Sequence, residues 1–423
     1  MSVHKLDEAR LARYERLEKV YRGNHAEVWD LDGTEQFPNV IVNMANGIID
    51  GISALVASKS PTFELSTQVA QKIIDQTLEA SSFGTELLQF VTEGLLYGDA
   101  LFKVFLDLEG IPQVRCVSPK RWYAITDPDD VDTIIEHDLF SIRTDESLKL
   151  MLVEAHTAGM ITNTVWVIDN AQVIRLADPS EIARVAPDWL NKEPVVETGV
   201  NEPLVISWRH DRLCGEVYGT SELAPIWDLI RTLDQRATQE DRVLTKHADP
   251  RMILEEGTFE RDANGNLIIE DIDVILVPQG SDKNQLGYIT WDGKLEAVGN
   301  QIQRLIEQQL HITQVSRLLL NADSTQAQTG EAFKVQLFPS ILKATQIQKS
   351  LEKPLRAMVS VAQKLSFSSS TGRKFNPSPV VIKWGVDLPE NTQSETQAEV
   401  QKVEAGIQTI EEAGRKLDAK KIL

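Results

Sequence analysis

The chain has 423 residues, 42% of them hydrophobic and 25% charged, with a formal net charge of −20. This is ordinary globular usage, which excludes a disordered chain. The acidic balance argues against a protein that clings to duplex DNA over a large surface, because such binding needs Lys and Arg set against phosphates.

Cys116 and Cys214 lie far apart, with no CxxC and no even framework, which points to a reducing compartment. The N-terminus is charged and helical, and no apolar run reaches membrane-spanning length, so a soluble chain without a cleaved signal or a membrane partner is expected.

In chain order, residues 5–22 carry Leu6, Leu11, Leu17 and Val20 on or near one helical stripe, stopped by Gly23 and Asn24. A second helix is predicted over about 39–57 and a third over roughly 68–97. The stretch GDALFKVFLDLEGIPQVRCVSP reads as a β-hairpin turning at DLEG, and strand-like runs follow in TVWVID, AQVIRLA and PLVISW. Residues 221–247 place Leu223, Ile226, Trp227, Ile230, Leu233 and Ala237 at the spacing of a long helix with one buried stripe. Residues 249–296 switch to strand and turn signals, with Asn264 and Gly265 as a hairpin cue. Helix returns over 299–320 and again over 331–366, where Pro339 and Pro354 predict kinks. A strand and turn near 380 and a polar helix over 391–413 close an α+β chain.

Charge is uneven. Residues 124–200 and 249–296 are strongly acidic, whereas 331–366 carry Lys334, Lys343, Lys349, Lys353, Arg356 and Lys364 against Glu331 and Glu352. Just before that basic helix lies NADSTQAQTG, residues 321–330, whose one charge is Asp323.

The motifs of an enzyme are missing: no phosphate loop, no GxGxxG, no HExxH and no GxSxG. The nearest approach to a metal site is DPDDVDT, with Asp127 and Asp129 as weak candidate ligands. An EF-hand loop needs Gly at its sixth position and Glu at its twelfth, where this chain has Asp132 and Asp138, so a solvated acidic turn is the plainer reading. His210 beside Asp211 resembles the start of a general-base pair, but no nucleophile accompanies it. Neither a catalytic residue nor a cofactor is expected. Lysines on a helix opposite an apolar stripe are ordinarily its solvated face.

The order of the segments resembles the portal proteins of tailed double-stranded DNA bacteriophages. The opening motif is similar in VYRGN and NMANGIIDGISALVASKSPTF, with Asn43, Ile49, Asp50 and Pro61 at matching places, and Gly98 matches in EGLLYGDALFKVFLDLEGIPQV. GEVYGTSELAPIWDLIRTLDQRATQEDRVLTKHADPRMIL resembles the start of a portal stem through Gly219, Ser221, Leu229, Ile230, Leu233, Asp234, Gln235 and Pro250. TGEAFK, Thr329 to Lys334, resembles a Ser-Gly-x-Ala-Leu-Lys signature with Thr329 for Ser and Phe333 for Leu.

The resemblance implies a ring, a dodecamer in the particle, at one capsid vertex of the virion, assembled in the host cytoplasm. It implies a wing at 1–218 with 367–389 returning to it, stem helices at 219–248 and 297–320, a small β-containing clip at 249–296, a tunnel loop at 321–330, a kinked tunnel helix at 331–366 and a helical crown at 390–423. The implied DNA channel is lined by Asn321, Ser324, Thr325, Gln326, Gln328, Thr329, Lys334 and Lys343. The implied docking surface of the clip includes Arg251, Glu255, Glu256, Asn264 and Asp271. Implied partners are double-stranded DNA passing without sequence specificity, the terminase large subunit, major capsid and scaffolding proteins, and head-completion or neck proteins. An adaptor or stopper ring and a metal-dependent nuclease are the alternative readings.

Overall fold

The computed structural model describes residues 7–31, 33, 38–169, 172–248, 252–255, 274–277, 287–288, 295–320, 330–371, 376–385 and 409. Helix α1 (Glu8–Tyr21) ends where Gly23 takes φ +83°, as its stop signal predicts. Helix α2 is Met44–Ala57, and strand β1 is Thr62–Leu65. The third expected helix is two, α3 (Gln68–Ala80) and α4 (Phe83–Tyr97). Ser82 sits between them at φ 50°, a left-handed conformation that no helix can carry through, and periodicity alone does not reveal it.

The hairpin appears as β2 (Asp99–Leu106) against β3 (Pro112–Val117), antiparallel as expected. Then come β4 (Trp122–Thr126), β5 (Ile134–Thr144), β6 (Lys149–Thr157), β7 (Met160–Asp169), β8 (Gln172–Leu176), α5 (Pro179–Val185), β9 (Val195–Glu197) and β10 (Val205–Arg209). The later elements are α6 (Trp227–Ala248), β11 (Met252–Glu255), β12 (Val274–Val277), β13 (Gly287–Tyr288), α7 (Leu295–Thr313), α8 (Arg317–Leu320), α9 (Gly330–Thr371) and β14 (Val380–Lys383). The helix expected over 299–320 is interrupted at Gln314, which has φ 58°. Helix α9 runs continuously through Pro339 and Pro354. The polar helix expected at 391–413 lies outside the described residues, apart from residue 409.

The chain divides into two compact units. One comprises Met1–Tyr14, Gly47–Glu222 and Gln314–Leu423. In it β10, β2 and β3 form an antiparallel sheet against which α4 and α9 pack. The core here is aromatic: the Phe90 and Phe102 rings stack at 3.8 Å, and Trp208 stacks on Phe90 at 5.9 Å. A second sheet, β4-β5-β6-β7-β8 with β9 on β7, covers the acidic stretch after 121. One of its clusters joins Leu150, Leu152, Val165 and Val167 to Ile182 and Trp189, so α5 and the turn after it close that face. Strand β1 pairs with β14 across more than 300 residues of sequence.

The other unit comprises Glu15–Asn46 and Leu223–Thr313. Helix α6 packs against α7, and its stripe is buried as predicted at Ile230, Leu233 and Ala237. Strand β11 pairs in parallel with β12 and antiparallel with β13. A two-residue hairpin cannot produce the parallel pair, and the Asn264-Gly265 cue itself falls outside the described residues.

Candidate functional site

The polar stretch 321–329, whose one charge is Asp323, lies outside the described residues, and with it Asn321, Ser324, Thr325, Gln326, Gln328 and Thr329. The chain leading into it is firmly seated. Leu319 and Leu320 of α8 lie on Gly51 and Gly47 of α2, four residues apart and therefore on one helical face. A Cβ at Gly51 would stand 3.1 Å from Leu319 Cδ2, and one at Gly47 3.2 Å from Leu320 Cδ2. The turn at Gln314 is tied to α9: Ser340 Oγ accepts from the Ser316 N–H at 2.7 Å and donates to the Gln314 carbonyl at 3.2 Å. On the far side α9 begins at Gly330, inside TGEAFK.

Lys334 falls in the first turns of α9. Lys343, the other lysine expected in the channel, lies further along α9. Its Nζ lies 2.7 Å from the carboxylate of Glu222, a side chain 5% exposed. Glu222 also meets His210 Nε2 at 3.0 Å. Burial pushes the Glu222 carboxyl up, but the His210 bond and the Lys343 charge outweigh it and hold the group below the usual carboxylate range. His210, considered above as half of a general-base pair, instead has Glu222 for its partner.

Next to this cluster two backbone segments touch. Gly98, at φ +92°, caps α4, and Gly219 lies against it: a Cβ on Gly219 would fall 2.0 Å from the Gly98 carbonyl oxygen. The crossing is laced by His210 N–H to Gly98 O at 2.7 Å, Thr220 N–H to His210 O at 2.8 Å and Glu222 N–H to Leu95 O at 2.9 Å. Asp99, fully buried, accepts from Gly219 N–H at 2.9 Å and from the Tyr14 hydroxyl at 2.6 Å. Burial raises the Asp99 carboxyl above its usual range despite these bonds.

In the other unit Asp234 is equally buried. Its Oδ2 lies 2.5 Å from His25 Nδ1, and its Oδ1 accepts the Val42 N–H at 2.9 Å. His25 Nε2 lies 2.8 Å from the Val20 carbonyl. The ring is thus pinned at both nitrogens, one against a carboxylate oxygen and the other against a backbone carbonyl. Asn43 donates to the Tyr21 carbonyl at 3.0 Å and accepts from the Asn46 N–H at 3.2 Å, at the start of α2. His25 and Tyr14 have no flag in the sequence, because their partners are 209 and 85 residues away.

Asp127 and Asp129 belong to a turn that satisfies itself. Asp127 Oδ1 accepts the Asp129 N–H at 2.9 Å, Asp130 Oδ1 accepts the Asp132 N–H at 3.0 Å, and Asp132 pairs with Arg212. Among the described residues no cluster of three or more His, Cys, Asp or Glu is set to hold a metal ion, and no helix is long and apolar enough to cross a membrane. Of the clip candidates, Glu255 ends β11, while Arg251, Glu256, Asn264 and Asp271 lie outside the described residues.

The sequence matches the family described as phage portal protein, SPP1 Gp6-like, over residues 3–416. The chain belongs to that family. It is therefore a portal protein, a structural connector of phage type, with a mixed helix and sheet architecture. No curated protein matches it. Among solved structures it is similar to a chain in the virion of a native gene transfer agent particle, at 10% identity over 96% of this chain and 93% of that one, with a TM-score of 0.47. It is also similar to a chain in the neck of an empty gene transfer agent particle, at 11% identity over 88% and 89%, with a TM-score of 0.46. The resemblance positions Gly98, Gly219, Asp234 and Asn43 thus coincide with the backbone crossing, the buried carboxylate and the helix cap of this portal protein.

Proposed function

We infer that this portal protein assembles as a ring, a dodecamer in the particle, at one vertex of a virion capsid after assembly in the host cytoplasm, and that double-stranded DNA enters and leaves through its centre. The wing is assigned to 1–218 and 367–389, the stem to 219–248 and 297–320, the clip to 249–296, the tunnel loop to 321–330 and the crown to 390–423. A terminase motor and later the neck proteins dock on the clip through Arg251, Glu255, Glu256, Asn264 and Asp271, and capsid and scaffolding proteins meet the wing.

The observation that carries the reading is family membership over almost the whole chain, joined to a polar segment with a single charge whose leading end is locked onto α2 and α9. A channel that passes a polyanion in both directions must not grip it, since every neutralised phosphate adds salt-dependent affinity. Ser324, Thr325, Gln326, Gln328 and Thr329 offer only weak hydrogen bonds. Lys334 supplies a sparse ring of positive charge that centres the duplex, and the acidic remainder repels it from the walls. Lys343 joins Lys334, with its charge partly offset by Glu222.

The test is packaging by particles carrying Lys334→Glu. Slowed packaging with intact rings is expected; packaging at the unaltered rate contradicts a channel role for Lys334.

A further inference from the structure

Beside β10 lies a cleft of about 470 Å³, within the size range of small-molecule sites. Arg209, Arg212 and Lys353 line it together with Asp132 and Glu202. Both carboxylates are already engaged: Asp132 pairs with Arg212, and Glu202 with Lys364 at 2.6 Å. Arg209 and Lys353 have no ion-pair partner among the described residues. The Arg209 guanidinium is held in place by the carbonyls of Asp132, at 2.8 Å, and Val217, at 3.4 Å. Burial and then the neighbouring Arg212 lower its affinity for its proton, in spite of Asp132, Asp99 and Asp130.

His137 lines the same cleft, is 5% exposed and has no partner at Nδ1 among the described residues. Its cross-strand neighbour His156 likewise has a bare, buried Nδ1. Buried polar atoms are almost always paired, so these two bare imidazole nitrogens mark an incompletely satisfied polar region behind the cleft. Trp208, Ile206 and Pro354 supply an apolar wall.

We propose that this cleft binds a small phosphorylated molecule, its phosphate held by Arg209 and Lys353 and its apolar body laid against Trp208, Ile206 and Pro354. The charge count selects the ligand. A phosphate monoester carries about −1.5 to −2 at neutral pH and matches two free cations, whereas one carboxylate would leave a cation unmatched. The guanidinium fork suits phosphate oxygens, and the ammonium adds a point charge. This site does not depend on the ring reading.

The test is calorimetric titration of the full chain at constant ionic strength with dAMP, with inorganic phosphate, and with a short oligothymidylate lacking a terminal phosphate. Saturable uptake of dAMP is expected, with inorganic phosphate competing. Lys353→Glu and Arg209→Gln should weaken it by about tenfold or more. Lys353 is an exposed helical residue, so its substitution leaves folding intact. Lys349→Glu, on the same helix but outside the cleft, should leave affinity unchanged. Absence of saturable dAMP uptake, equal losses for Lys349→Glu and Lys353→Glu, or binding of the oligonucleotide alone would each overturn the proposal.

Discussion

Asp234 and His25 show what a single buried pair contributes. Removing one partner of a buried hydrogen-bonded pair costs about 1–3 kcal/mol, because the other is left unsatisfied. Asp234→Ala should therefore lower unfolding stability by about that amount in denaturant titration, and His25→Ala should follow it; additive losses in the double variant would show that the two do not act as a pair. Lys343→Met should cost about 2 kcal/mol by leaving Glu222 with His210 alone, a loss read in the same titration. His137 gives a pH signature: burial, His156 and Arg209 lower its pKa from 6.5 to about 3. The unfolded chain takes up that proton first, so the stability this group contributes is complete above about pH 6.5 and is lost progressively as the pH falls toward 3. Thermal melts across that window should flatten in His137→Phe; an unchanged slope would mean that other groups set it.

Ser82 carries the clearest prediction among the elements. It is a non-glycine residue at φ 50°, with no side-chain cap, between two helices. Ser82→Gly should stabilise the protein by about 0.5–1 kcal/mol, since glycine adopts this conformation without the clash of a Cβ; a loss in melting temperature would contradict that account. Gly219 is the converse case, for a Cβ there meets the Gly98 backbone rather than a side chain that can move. The elements legible in the sequence were those with a local signature: α1 and its glycine stop, the hairpin at DLEG, and the stripe of α6. Strands β5 and β6 escaped because their partners are other strands of the same sheet and their mixed residues, such as His137, Asp138 and His156, give no clean alternation. The break at Gln314 was hidden by an apolar period that continues across it. For the candidate channel, composition singled out the polar stretch with its single charge, but not that Lys343 turns to Glu222, a contact made across 121 residues.

At the scale of the molecule, the portal assignment rests on a match from residue 3 to residue 416, and the central claim is that copies of this chain close into a conduit. The acidic chain as a whole and the stretch at 321–329, polar and without a basic residue, suit a tunnel that guides DNA without holding it. The most direct measurement is electron microscopy of the purified full chain, viewed down the particle axis, with a light-scattering mass of the same sample. The account predicts a closed ring of about twelve subunits around an axial opening that admits a duplex of roughly 20 Å. A small closed oligomer without an axial opening would contradict it.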